Sequence, residues 1–126
     1  MSRLSDAFTK RPSSSPAFVA FLTAGYPTLA STVPAMLAMQ ESGVRVIEVG
    51  MPFSDPLADG GTIAKANQGA LENGVTVKWT LETVREARAA GVTIPIVLMG
   101  VSAGCAESAG LLSVLCTVQP RAPPPI

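Results

Sequence analysis

The sequence predicts an α/β fold built on parallel strands, because short apolar runs alternate with segments of helical period long enough to cross back over a sheet. Three runs stand out: AFVAFLT from Ala17, VRVIEV from Val44 and IPIVLM from Ile94. Such β-branched, nearly continuous apolar stretches suit strands covered on both faces. A glycine-rich GxGxxG turn after the first run would favour a dinucleotide-binding sheet, but that turn reads AGYPTLAS. A barrel and an open doubly wound sheet remain as the alternatives.

Each element has a local reason. The first strand, Ala17 to Thr23, is closed by Gly25 and Pro27. A helix is expected from Ser31 to Ser42: Ser31 or Thr32 can cap it, Pro34 falls in the first turn, and Gly43 ends it. Val33, Met36 and Leu37 mark its inner stripe. In the second strand, Val44 to Val49, alternation puts Val44, Val46 and Glu48 on one face and Arg45, Ile47 and Val49 on the other.

The loop GMPFSDPLADGG follows, then a helix from Thr62 to Asn73 stopped by Gly74. A further helix runs from Val77 to Ala90 with Thr76 as its cap. Val77, Leu81 and Val84 are expected inward, and Lys78, Glu82, Arg85 and Glu86 outward. The third strand, Ile94 to Met99, tolerates Pro95 at its start, where the missing donor costs least.

Composition excludes several classes. Nine basic and nine acidic residues cancel, and no cluster of Lys or Arg offers nucleic acid or an anionic membrane a footprint. Histidine is absent, so a histidine base, triad or metal site is ruled out and acid–base work falls to other groups. Cys105 and Cys116 lack zinc-ligand spacing and read as apolar fillers; no metal is expected. The start MSRLSDAFTKRPSSSP lacks the apolar core of a signal peptide, and no uncharged stretch is long enough to span a bilayer. A cytoplasmic protein is expected.

Glu48 is the leading candidate for chemistry. A carboxylate near the carboxyl end of a buried parallel strand sits where active-site groups gather in α/β folds. Burial there disfavours the charged form, which lets one carboxyl group both give and take a proton near neutral pH. The alternative is a structural ion pair with Lys65 or another cation. Asp55 and Asp59, beside proline and glycine, read equally as turn residues, and Ser54 and Thr62 as turn and cap residues. Phe21, Tyr26 and Trp79 read as core or surface aromatics.

The string EVGMPFSDPLADGGTIAKAN, Glu48 to Asn67, resembles the signature of the tryptophan synthase alpha subunit. AFVAFLTAGYP, ALENGVT and IPIVLMG agree in order and spacing, so the resemblance covers about Leu4 to Gly100. It implies a (β/α)8 TIM barrel, here a partial one of about three strands with their helices. It also implies retro-aldol cleavage of indole-3-glycerol phosphate to indole and glyceraldehyde 3-phosphate, without a cofactor of its own.

By the same resemblance Glu48 is the catalytic glutamate, Asp59 the aspartate holding the indole N–H, and Phe21 a wall of the indole pocket. The loop Pro52, Phe53, Ser54, Asp55 and Pro56 would lie near the beta subunit, which carries pyridoxal phosphate. The spelling at Gly61 is similar to fungal proteins that fuse the two activities.

After Gly100 the resemblance stops. Residues 101–126 have no strand–helix rhythm and end in PRAPPPI; an irregular tail is expected, with Leu111 to Val118 as a short strand or helix. A shifted reading frame, retained intron or mispredicted exon would produce such a change at one point. A complete barrel needs about 250 residues. The chain alone is therefore expected to be inactive and poorly folded, with Phe21, Val46 and Ile96 facing strands that are absent. The second functional reading is a non-catalytic fragment that docks on a beta-type partner.

Overall fold

Three parallel strands and the helices that connect them form the frame of the computed structural model, which describes residues 2–54 and 60–100 and the backbone of 116–117. Helix α1 (Arg3–Thr9) precedes strand β1 (Val19–Thr23), and a 3-10 turn (Leu29–Ser31) leads into α2 (Thr32–Glu41). Strand β2 (Val46–Gly50), helices α3 (Gly61–Glu72) and α4 (Val77–Ala89), strand β3 (Ile96–Met99) and the two-residue β4 (Cys116–Thr117) complete the order. The sheet runs β1-β2-β3-β4, with β1, β2 and β3 parallel and β4 antiparallel to β3.

Parallel order follows from the crossovers. A helix between two strands forces the second to enter from the same end as the first. The register aligns Phe21 with Glu48 and Glu48 with Val97, so one row of side chains crosses the three strands. One sheet face packs on the helices: Met36, Ile47, Val49, Val84, Val92 and Ile96 are all but inaccessible. Each such aliphatic side chain contributes about 1.5–3 kcal/mol by leaving water.

The opposite face is covered at its amino end by α1, which the sequence reading passed over. Ala7, with Leu4 beside it, closes on Val46 and Val97. Ser2 caps this helix by accepting the Ser5 amide at 3.2 Å. Arg88, at the far end of α4, donates to the Val92 and Ile94 carbonyls at 2.9 and 2.6 Å, tying α4 to the approach to β3. Burial, and then the Arg3 guanidinium of α1, lower its pKa from the usual arginine value to about 10.

Several expectations are corrected. Strand β1 begins at Val19 and is not covered on both faces: Val19 and Phe21 are 37% and 38% exposed, because nothing described lies over that part of the sheet. Val44 does not share the Val46–Glu48 face. Its amide closes the end of α2 on Met39, the strand starts only at Val46, and Val44 joins the helix-side core while Arg45 is exposed. Val46 is sealed by α1, and Ile96 faces the helix layer, so neither waits for an absent strand.

In α4 the inner stripe is Thr80, Thr83, Val84 and Ala87, a true i, i+3, i+4, i+7 set, whereas Val77 and Leu81 are exposed at 61% and 43%. Threonine hydroxyls there need an acceptor, and Thr80 finds one in the Thr76 carbonyl at 3.0 Å. Thr76 caps α4 as expected, through the Trp79 amide at 3.1 Å. Ser31 makes no side-chain cap on α2. Thr32, buried, instead accepts the Gly25 amide at 2.9 Å.

Gln40 fastens α2 to the turn before β3. Its Oε1 accepts from the amides of Thr93 and Ile94 at 2.7 and 3.2 Å and from the Thr93 hydroxyl at 3.2 Å, while Nε2 donates to the Gly91 carbonyl at 3.0 Å. Replacing Gln40 by Ala strips partners from several backbone groups, each worth about 0.5–1.5 kcal/mol. The expected result is a lower urea midpoint at unchanged slope, with Gln40→Glu, which keeps the acceptor, recovering part of the loss.

The readings made for residues 101–115 and 118–126 lie outside the described residues, as do those for Asp55, Pro56 and Asp59. Among the described residues no helix is long and apolar enough to cross a membrane.

Candidate active site

Glu48 is half-buried in the central strand, on the same sheet face as Phe21 of β1 and Val97 of β3, its register partners on either side. Alternation along β2 makes this so. Ile47 and Val49 point into the helix-side core, which leaves Val46, Glu48 and Gly50 on the other face, with Val46 sealed under α1. The face is thus apolar and closed at its amino end and open at its carboxyl end, where Glu48 and Phe21 stand. Among the described residues Glu48 makes no salt bridge; Lys65 is exposed on α3.

Phe21 is not a buried core aromatic. Its ring leans forward along β2 toward Gly50, so that a Cβ built on that glycine would lie 2.5 Å from Cζ and 2.8 Å from Cε2. The ring therefore rests on bare backbone two residues beyond Glu48.

The loops at this end are held from several sides. The Ala24 amide donates to the Gly50 carbonyl at 2.9 Å and the Met51 amide to the Met99 carbonyl at 2.7 Å, extending the ladder past the last strand residues. Asn73, the C-cap of α3, donates from Nδ2 to the carbonyls of Gly25 and Pro27, both at 2.9 Å. Gly25, at φ 77°, takes a turn conformation that side chains rarely adopt. Sequence reasoning missed Asn73, whose place before Gly74 signalled a helix end but not its reach across to another loop.

Of the expected partner loop, Pro52, Phe53 and Ser54 are described. Phe53 and Ser54 line an open groove of about 440 Å³ with Gly61, Ala64, Lys65, Gln68 and Leu71 of α3. Neither Glu48 nor Phe21 borders it. The proton-transfer candidate and the groove are separate features of the same end of the sheet. Among the described residues no three Cys, Asp or Glu side chains gather closely enough to hold a metal ion.

Comparison with known proteins gives this geometry its context. The family model described as "Tryptophan synthase alpha chain" matches residues 8–107. The chain belongs to that family. Tryptophan synthase of Saccharomyces cerevisiae is 60% identical over 84 residues, covering 67% of this chain and 12% of the yeast protein. The tryptophan synthase alpha chain of Aromatoleum aromaticum is 51% identical over the same length, which is 31% of that protein.

Among solved structures, the alpha subunit from Legionella pneumophila superposes with a TM-score of 0.75 at 33% identity, over 80% of this chain and 39% of its own. Tryptophan synthase from M. tuberculosis gives 0.71 at 41% identity, over 80% of this chain and 41% of its own. These alpha subunits are TIM barrels, and the three parallel strands with their helices are a part of that α/β fold. The chain spans well under half the length of these relatives.

Proposed function

We propose that this alpha-family chain carries the acid–base side of a lyase site that splits indole-3-glycerol phosphate. The observation supporting this most directly is the pairing of Glu48 with Phe21 on one sheet face at the carboxyl ends of the strands. In this reading Phe21 walls the flat indole ring. Glu48 donates its proton to indole C3, which leaves a positive charge delocalised over the ring. The resulting carboxylate takes the proton of the side-chain hydroxyl, the bond from C3 to the glycerol carbon breaks, and its electron pair returns to the ring. Indole and glyceraldehyde 3-phosphate leave, and Glu48 is again protonated.

Asp59 holds the indole N–H. A fixed carboxylate there is stabilising chiefly after C3 is protonated, so it favours the transition state over the ground state. Replacing Asp59 by Asn retains size and hydrogen bonding but removes the charge. In a chimera joining residues 1–100 to the remainder of the Aromatoleum alpha chain, kcat is expected to fall by about 10²–10³, the cost of losing one well-placed electrostatic group. An unchanged kcat would remove Asp59 from the mechanism.

A second reading is favoured by the groove at Phe53 and Ser54: the segment Pro52 to Pro56 docks on a tryptophan synthase beta subunit or a fused beta domain, where pyridoxal phosphate would reside. Such a chain works in the cytoplasm, with neither nucleic acid nor membrane as partner. Replacing Pro52–Gly60 by a glycine–serine linker is expected to abolish capture of the chain by purified beta subunit. Undiminished capture would assign docking elsewhere.

A further inference from the structure

Glycine within a strand needs a reason, since it costs conformational entropy and packs nothing. At Gly25, Gly43, Gly74 and Gly91 backbone conformation supplies one, a positive φ. At Gly50 it does not. It ends β2 in register with Thr23, in a backbone conformation open to any L-residue. What excludes a side chain is the Phe21 ring, whose Cζ and Cε2 lie 2.5 and 2.8 Å from the position a Cβ would take. The nearest backbone atom, the Leu22 carbonyl oxygen at 3.6 Å, would be an ordinary contact.

We infer that Gly50 is a positioning residue for the aromatic ligand, because its bare Cα lets the Phe21 ring lie over the strand just beyond Glu48. The inference rests on the reading of this face as an indole site. A diagonal reach of this kind is within range of an aromatic side chain on a neighbouring strand. A methyl group at position 50 displaces the ring rather than the strand: the obstructing atoms are the far end of a side chain that is 38% exposed and has room to swing outward. The displaced ring no longer lies over the strand at Gly50. The glycine thus sets how wide a ring fits there, without touching the reacting atoms itself.

The test is a double-mutant cycle in the 126-residue chain with indole as the probe. NMR first reads the cross-peak between the Phe21 ring protons and the Gly50 α-protons. Indole titrations of wild type, Gly50→Ala, Phe21→Ala and the double variant follow, with thermal unfolding of each. Gly50→Ala is expected to weaken indole binding by roughly 2- to 12-fold, the range of an aromatic contact. Phe21→Ala should do the same, and the double variant should be no weaker than Phe21→Ala alone.

If Gly50→Ala fails to fold, recovery of folding in the double variant, where the ring is gone, supports the contact. Failure of both to fold overturns the inference. Equal indole binding by wild type and Gly50→Ala, or additive losses in the double variant, overturns it while leaving the site reading intact. A wild-type chain that shows the cross-peak yet binds no indole overturns the site reading, and the ligand-positioning role falls with it.

Discussion

Glu48→Gln, placed in the chimera of residues 1–100 with the rest of the Aromatoleum alpha chain, is expected to lower kcat for indole-3-glycerol phosphate cleavage by about 10²–10⁴, the usual contribution of a positioned general acid–base. The amide keeps the shape of the side chain but can neither deliver a proton to C3 nor accept one from the hydroxyl. KM should change little, since ground-state contacts with ring and phosphate do not depend on this proton. Ile47 and Val49 anchor the strand from the other face, so unfolding should also be unaffected. Near-normal turnover by the variant refutes the role.

The second large effect concerns the 126-residue chain by itself: no indole release above background, against normal turnover by the chimera. On the face that carries Glu48, α1 seals only the amino end, and Val19 and Phe21 are 37% and 38% exposed. A site open to water on one side screens its charges and permits the carboxylate and ring to be hydrated. Barrels of this kind commonly hold phosphate on loops after the later strands, and the described residues supply three parallel strands. Measurable cleavage by the isolated chain would show that three strands suffice.

The strands were legible because each is a short run rich in β-branched and other apolar residues, and the helix-side core takes its alternate side chains, such as Ile47 and Val49. Their ends were less so. Val44 belongs to the run VRVIEV by composition, yet the closing turn of α2 captures its amide and the strand starts two residues on. In α4 the expected stripe was Val77, Leu81 and Val84, which passed over Thr80 and Thr83; the phase of the helix against the sheet, fixed by Val84 and Ala87, buries the two threonines and leaves Val77 and Leu81 outside. Helix α1 carries too short a stripe, Leu4 and Ala7, to announce itself.

Within the site, strand alternation alone placed Glu48, whereas its pairing with Phe21 depends on inter-strand register, which a single strand's sequence does not encode. The family signature singled out Asp59 and the loop; composition had offered only turn residues there. Gly50 was part of the quoted string from the start, but its significance is a distance to a ring on another strand.

The grip of Gln40 on the turn before β3 also orders events in time. Its partners, Gly91, Thr93 and Ile94, stand 51 to 54 positions later in the chain. A ribosome therefore releases β1, α2 and β2 well before anything exists to lock α2 in place. During that interval the early β–α–β unit has its apolar helix face but not its fastener, and closing so long a loop is entropically slow. On this account stable seating of the first half of the sheet waits on synthesis of the third strand, and the segment from Val19 to Met99 is expected to unfold in one cooperative transition rather than as successive β–α pieces.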